Sequence, residues 1–186
     1  MNKLEGLLFL KKYNLPVIEL ISYNDIVKDT YIIKEGLSLR LSTKKFDNID
    51  VNLPSIHNCL NKETIKMFIE KYSSTNHILI HRTVKPDIIG SISKYSFNGK
   101  SNFIVEIFKN FNERKCGIIQ EREIYEVIGN KYLKPKEVTK RKYIEVINLV
   151  KDIFFDSFDI EFIIENNRII FMDFYSNQLK ANEYLF

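Results

Sequence analysis

The sequence has 186 residues, 45% hydrophobic and 13% aromatic, enough for one full core in a single or two-lobed domain, and its four prolines and six glycines exclude long flexible linkers. Lysine and arginine exceed aspartate and glutamate by 28 − 24 = 4, a mild and dispersed excess that excludes the dense basic face of a dedicated nucleic-acid binder and suits a phosphate-bearing ligand or no special partner equally well. Cys59 and Cys116 form no metal-spaced motif, and the apolar run before Lys11-Lys12 is too short for a membrane span and lacks a cleavage site, so a reduced, cytoplasmic protein without a membrane partner is expected.

Leu4, Leu7, Leu8 and Leu10 form a helical stripe closed by Asn14 and Pro16. Val17–Ser22 reads as extended, and a short helix is expected near Asn24. Thr30–Ile33 and Leu37–Leu41 are β-like; in the second, Arg40 alternates with leucines and shares a face with Ser38 and Ser42. Residues 44–58 are polar and glycine-free and read as a mobile loop, and Asn61 caps a helix to Tyr72. From His77 the pattern turns to strands: HILIHRTV, IIGSISKYSF, NFIVEIFK after Asn98-Gly99, GIIQ and EIYEVI, an expected antiparallel meander. Lys131–Pro135 is a connector, and Val138–Phe155 is the longest amphipathic helix, with Tyr143, Val146, Ile147, Val150 and Phe154 at helical spacing.

The chain closes on DIEFIIENNRIIFMDFY, residues 159–175, which reads as a β-hairpin. Asn166-Asn167 is its turn, because asparagine tolerates the positive φ of a type I′ turn. Ile169, Phe171 and Phe174 continue on the return strand, with Asp173 among them and Glu161 on the strand before. Two carboxylates on paired strands could hold Mg²⁺, a hard cation that takes oxygen ligands; both acids equally fit the solvated face of a half-buried hairpin. Arg40, with Lys34 upstream and Lys3 near the start, could hold phosphate oxygens, or be a solvated surface arginine. His77 and His81 share a strand face, but no Cys, Asp or Glu completes a zinc set at suitable spacing, and His81 reads as a ligand or core contact. KYLKPKEVTKRKY, residues 131–143, interleaves basic and aromatic residues; a solvated connector and helix start is the plainer reading than a polyanion contact, so nucleic acid is the lowest-ranked partner.

Taken together, these blocks resemble the nucleotide-binding domain of the ATP-grasp superfamily, and within it the ATP-binding module of phosphoenolpyruvate synthase and pyruvate phosphate dikinase. DIEFIIENNRIIFMDF is similar to that family's terminal acidic strand pair, GLSLRLST to its arginine-bearing phosphate strand, and NKLEGLLFLKKYNLPV to its opening lysine, helix and Pro-Val exit; HILIHRTVKPDIIGSIS echoes a strand, turn and Gly-Ser strand. The resemblance implies an α+β ATP-grasp-like fold, an antiparallel sheet flanked by helices with a terminal acidic β-hairpin. Its two lobes, together one unit, would be residues 1–75 with the Arg40 strand and 76–186 with the sheet, long helix and acidic hairpin. It implies ATP and Mg²⁺ as cofactors, with Glu161 and Asp173 on the metal, Lys3 and Arg40 on phosphates as catalytic groups, and His81 by the nucleotide; Lys34 joins Arg40 as a phosphate contact on the reading of the residues above.

The sequence departs from the family at three places. Its flexible glycine loop is replaced by KKFDNIDVNLPSIHN, its glycine-rich stretch after VEIF by KNFNERKCG, and a basic residue after the second metal ligand by Tyr175. A minimal unit without the family's phosphohistidine and pyruvate-binding domains would not carry out the full synthase reaction alone. The expected function is phosphoryl transfer or ATP-dependent ligation onto an unspecified small-molecule or protein acceptor, with a partner subunit or homo-oligomer as an option. The alternative is a non-catalytic relative serving as an interaction module.

Overall fold

The computed structural model describes residues 2–28, 31, 33–44, 53–97, 100–128, 131–133 and 141–176. Helix α1 (Lys3–Lys12) opens with a capping box: the Asn2 side chain accepts from the Glu5 N–H at 2.9 Å, and Glu5 accepts from the Asn2 N–H at 3.0 Å. Leu7 and Leu10 are buried, whereas Leu8 faces out. The chain leaves at Asn14 (φ 56°) and runs extended, as the sequence suggests; Val17 forms a parallel bridge to Phe171. Helix α2 (Tyr23–Val27) follows. Tyr31 lies in a bend, not in a strand, and residues 30 and 32 are outside the described set.

Strands β1 (Leu37–Thr43), β2 (Ser55–Cys59) and β3 (Asn76–Arg82) form a small antiparallel sheet in the order β2-β1-β3, covered by α3 (Lys62–Tyr72). Two expectations change here. Ser55–Asn58, read as loop, pairs with β1 as a strand, while residues 45–52 lie outside the described set. HILIHR does not join the meander; it pairs with β1, with Leu37 opposite Arg82 and Ser38 opposite His81. The small sheet therefore continues past the expected lobe boundary at 75/76, and α1 packs on the other sheet.

That larger sheet contains β4 (Ile88–Phe97), β5 (Lys100–Phe108), β6 (Glu121–Ile128), β7 (Lys131–Leu133), β8 (Ser157–Glu165) and β9 (Arg168–Ser176), in the order β7-β6-β5-β4-β8-β9. The Asn98-Gly99 turn lies outside the described residues, though Phe97 and Lys100 pair on either side of it. GIIQ is no strand: it follows the short helix α4 (Phe111–Lys115), where Gly117 takes φ 68° and reverses the chain. The connector after residue 130 instead supplies β7. Helix α5 (Arg141–Val150) ends earlier than the periodicity predicts, because the Lys94 ammonium donates to the Ile153 carbonyl at 2.8 Å and the chain turns there. Ile153 and Phe155 thus enter the core, and Phe154 is 64% exposed. Residues 138–140 lie outside the described set. No helix among the described residues is long and apolar enough to cross a membrane.

The β8–β9 hairpin forms as expected, with Asn166 and Asn167 at φ 50° and 63°. It also carries a bulge. Glu161 opposes Asp173 but Phe162 opposes Phe171, leaving Met172 extra. With strict alternation Asp173 would share the apolar face of Phe171; the bulge places Phe174 there instead and turns Asp173 to the face of Glu161. Phe171, Phe174, Phe158 and Phe162 pack with Leu10, Val146 and Ile147 of the helices. The small sheet has its own core against α2 and α3, with Leu37, Leu39, Leu41 and Ile65. A third cluster (Leu7, Leu79, Ile89, Phe108, Ile163, Met172) joins the two sheets face to face.

Gly6 sets how closely α1 approaches β9. A Cβ at this position would lie 2.7 Å from the Phe174 carbonyl oxygen. Gly6→Ala is therefore expected to lower the unfolding free energy by about 1–3 kcal/mol through overpacking, read as a lower urea midpoint. An unchanged or raised midpoint would show that the helix can lift without cost.

Candidate functional site

Period-two alternation along β1 sends Leu37, Leu39 and Leu41 into the small-sheet core and leaves Ser38, Arg40 and Ser42 on the face turned toward the large sheet. The start of α1 is tied to the same strand: the Ser42 hydroxyl accepts from the Leu4 N–H at 3.2 Å, and the Asn2 amide donates to the Thr43 carbonyl at 2.9 Å. These bonds bring Lys3, which is itself buried, beside Arg40.

Both cations meet Asp173, which is wholly buried. Its Oδ2 lies 3.6 Å from the Arg40 guanidinium and 3.9 Å from the Lys3 ammonium, and accepts from the Tyr175 hydroxyl at 2.7 Å. Burial, with the neighbouring Glu161 charge, pushes the Asp173 carboxyl up to about 6, against the opposing pull of Arg40, Lys3 and the Tyr175 hydrogen bond. Burial and the two carboxylates likewise raise the Tyr175 phenol, which stays a donor. Glu161, directly opposite Asp173, is ion-paired with Arg114 of α4, a terminal guanidinium nitrogen lying 2.7 Å from Oε1. The Arg114 guanidinium lies over the Phe108 ring at 5.6 Å, and its Nε is buried without a partner.

The structure thus brings Lys3, Arg40, Glu161 and Asp173 together at the seam between the sheets. His81 lies on the same face of the small sheet, paired with Ser38. Its Nδ1 lies 2.7 Å from the Arg82 carbonyl and so carries the proton, which leaves Nε2 as a bare acceptor, buried and unpartnered. Burial, reinforced by the Arg40 charge, lowers this imidazole to about 4, so it is neutral at physiological pH. His57, which sequence reasoning did not single out for the site, stands near it: its ring contacts the Ser55 hydroxyl at 3.1 Å and the Ser38 hydroxyl at 3.4 Å. Burial and the charges of Lys115 and Arg40 lower the His57 pKa. Lys34 is not brought into the cluster; it is exposed ahead of β1. Of the basic stretch 131–143, the side chains of 131–140 lie outside the described residues, and Arg141 and Lys142 pair with Glu145 within α5.

Two nearby acids serve the scaffold instead. Glu165 accepts a two-pronged bond from Arg82 and the Lys85 N–H at 2.7 Å, and Asp159 accepts from Ser93. Arg114 is a further residue that sequence reasoning missed; it stands within KNFNERKCG, noted in the sequence only as replacing the family's glycine-rich stretch.

The donor chemistry bears on Mg²⁺. Glu161 and Asp173 offer hard oxygens on neighbouring strands, but among the described residues no group of three His, Cys, Asp or Glu side chains could hold a metal ion. Two carboxylates suit Mg²⁺ when phosphate oxygens complete its shell, the usual arrangement for this ion.

No family model matches the sequence, and no curated protein is similar to it. Solved structures are similar in fold. D-alanyl-alanine synthetase A from Vibrio cholerae aligns at TM-score 0.56 and 14% identity, covering 94% of this chain and 54% of its own. The acetyl-coenzyme A synthetase 1 of Ca. Korarchaeum cryptofilum, solved with coenzyme A, acetyl-coenzyme A and a phosphorylated phosphohistidine segment, aligns at 0.59 and 12%, covering 94% and 91%. N5-carboxyaminoimidazole synthetase from Staphylococcus aureus, complexed with ADP, aligns at 0.53 and 14%, covering 96% and 46%. The chain has the ATP-grasp fold, and it spans about half the length of the first and third of these proteins.

Proposed function

We propose that the chain binds a nucleoside triphosphate with Mg²⁺ at the seam between its two sheets and acts in phosphoryl transfer or ATP-dependent ligation. One observation carries this reading: Lys3, Arg40, Glu161 and Asp173, from a helix and three strands, converge within ion-pair or cross-strand distance. The ADP in a structure of the same fold supports it. Lys3 and Arg40 would neutralise phosphate oxygens, and Glu161 and Asp173 would hold the metal, which when bound supplies charge neutralisation at the transferring phosphoryl group. Chemistry of this kind depends on positioning and electrostatics, which agrees with a site built from cations and carboxylates without an activated nucleophile.

Calorimetry tests the reading. The wild-type chain should bind Mg-ATP, and Glu161→Ala should weaken that binding by at least about ten-fold, equivalent to about 1.4 kcal/mol. No binding to the wild type, or undiminished binding to the variant, removes the proposal.

A second reading, a non-catalytic relative that serves as an interaction module, is favoured by a specific feature. Tyr175 occupies a lone pair of Asp173, and Arg114 occupies Glu161, so both carboxylates already have protein partners. Nucleotide binding with no phosphate release in the presence of any candidate acid would support it; turnover would reject it.

A further inference from the structure

We propose that Arg114 is an anion-binding residue of this site and the internal counter-ion of Glu161, so that the site captures a polyphosphate on its own and admits a divalent cation only together with one. This rests on the reading that the seam is a phosphate site, and it goes beyond that reading in naming Arg114 and the order of uptake.

The charge arrangement carries the argument. Three cations, Lys3, Arg40 and Arg114, are ion-paired with Glu161 and Asp173, while Glu106 and Asp159 on the same sheet face are held by Arg122 and Ser93. A bare divalent cation approaching Glu161 must displace a guanidinium at 2.7 Å and would then sit beside three positive groups. A polyphosphate meets the opposite situation. It approaches Lys3, Arg40 and Arg114 and offers oxygens that match the planar fork of an arginine.

Arg114 is only half used as it stands. One terminal nitrogen reaches Glu161, while Nε is buried without an acceptor. A buried unpaired donor is costly, and a phosphate oxygen would relieve it. The Phe108 ring lies 5.6 Å from the guanidinium and gives it a cation–π contact. Lys115, next along α4, adds a further cation beside Arg114. Once the polyphosphate draws Arg114 away, the Glu161 carboxylate becomes available to a cation held by the same phosphates. Metal and polyphosphate then favour each other's binding, and by linkage the coupling is reciprocal.

The test uses the whole chain, with inorganic tripolyphosphate in excess chelator as one probe and Mn²⁺ followed by electron paramagnetic resonance as the other. The wild type should bind tripolyphosphate without metal and take up no Mn²⁺ alone at millimolar concentration. Arg114→Ala should weaken metal-free tripolyphosphate binding about ten-fold, the scale of one hydrogen bond to a charged group, and should allow Mn²⁺ to bind alone. That gained Mn²⁺ signal should vanish in Arg114→Ala/Glu161→Gln. Arg114→Lys, which keeps the charge and loses the fork, should fall between wild type and the alanine variant for tripolyphosphate. Unchanged tripolyphosphate affinity in Arg114→Ala, or Mn²⁺ binding alone to the wild type as tightly as to that variant, overturns the inference. Mg-ATP binding that persists while both constants ignore Arg114 sinks this inference and leaves the nucleotide reading intact; tripolyphosphate capture through Arg114 with no Mg-ATP binding does the reverse.

Discussion

Phe174→Ala should lower the unfolding free energy by about 3–5 kcal/mol, the cost of emptying an aromatic site in a close-packed core. The side chain is wholly buried. Its ring is stacked on Phe9 at 4.6 Å and lies 5.7 Å from Phe155 and 5.8 Å from Phe158, so three aromatic contacts are lost with the volume. Phe9 belongs to α1 and Phe155 to the turn after α5, so the cavity opens where both helices meet the sheet. The same residue lies under Gly6 and next to Asp173, and its loss should loosen α1 and with it the placement of Lys3. Phe154→Ala is the control. That ring also touches Phe9 and Phe155 but is 64% exposed, and its removal should cost only about 0.5 kcal/mol. Denaturant midpoints at constant slope measure both. Equal losses from the two variants would show that the aromatic cluster is not centred on Phe174.

What the sequence could disclose of this architecture divides along a physical line between local and long-range determinants. The hairpin turn was legible because two adjacent asparagines have few other uses, and both take positive φ. The burial of Leu37, Leu39 and Leu41 followed from alternation. The irregular spacing of Ile169, Phe171 and Phe174 was the visible trace of the bulge, since period two cannot put all three on one face. The partner of β3 was not legible. Alternation fixes which face of a strand is buried but not which strand it joins, and Leu37 meets Arg82 across 45 positions of chain. Strand β2 was missed because its exposed, polar SIHNC carries no apolar pattern, and α5 was overextended because the buried Lys94 that ends it lies on a distant strand. In the site, no spacing rule unites Lys3, Arg40, Glu161 and Asp173; their grouping came from family resemblance. Arg114 had no local mark, because an arginine in a short polar helix is ordinary until the fold lays it on Glu161.

The pH dependence of stability should show two opposed slopes that nearly cancel in the wild type and separate in single variants. His81 titrates near 6.5 in an unfolded chain and near 4 in the fold, because burial disfavours its charged form. Between those values only the unfolded chain takes the proton, so acidification from 6.5 to 4 destabilises the fold, by up to about 3 kcal/mol. His57 is shifted in the same direction by burial, Lys115 and Arg40, and adds to this slope. Asp173 runs the other way. Its ordinary value is 3.8, and burial with Glu161 holds it near 6 despite Arg40 and Lys3. Between those values the fold keeps a proton that the unfolded chain has released, so acidification over the same window stabilises the fold by a comparable amount. Asp173→Asn should therefore lose stability steeply as pH falls from 6.5 to 4, with the histidines, joined at the acid end by the Arg82-paired Glu165, left to act. His81→Asn retains an amide that can replace the Nδ1 donor to the Arg82 carbonyl, and it should instead gain stability, or lose much less, over that window. Urea unfolding at intervals of half a pH unit reads the slopes directly. Parallel slopes in the two variants would mean that the Asp173 carboxylate is ionised throughout the window, held so by Lys3 and Arg40, and that the buried acid of the hairpin is an ordinary member of an ion-pair network.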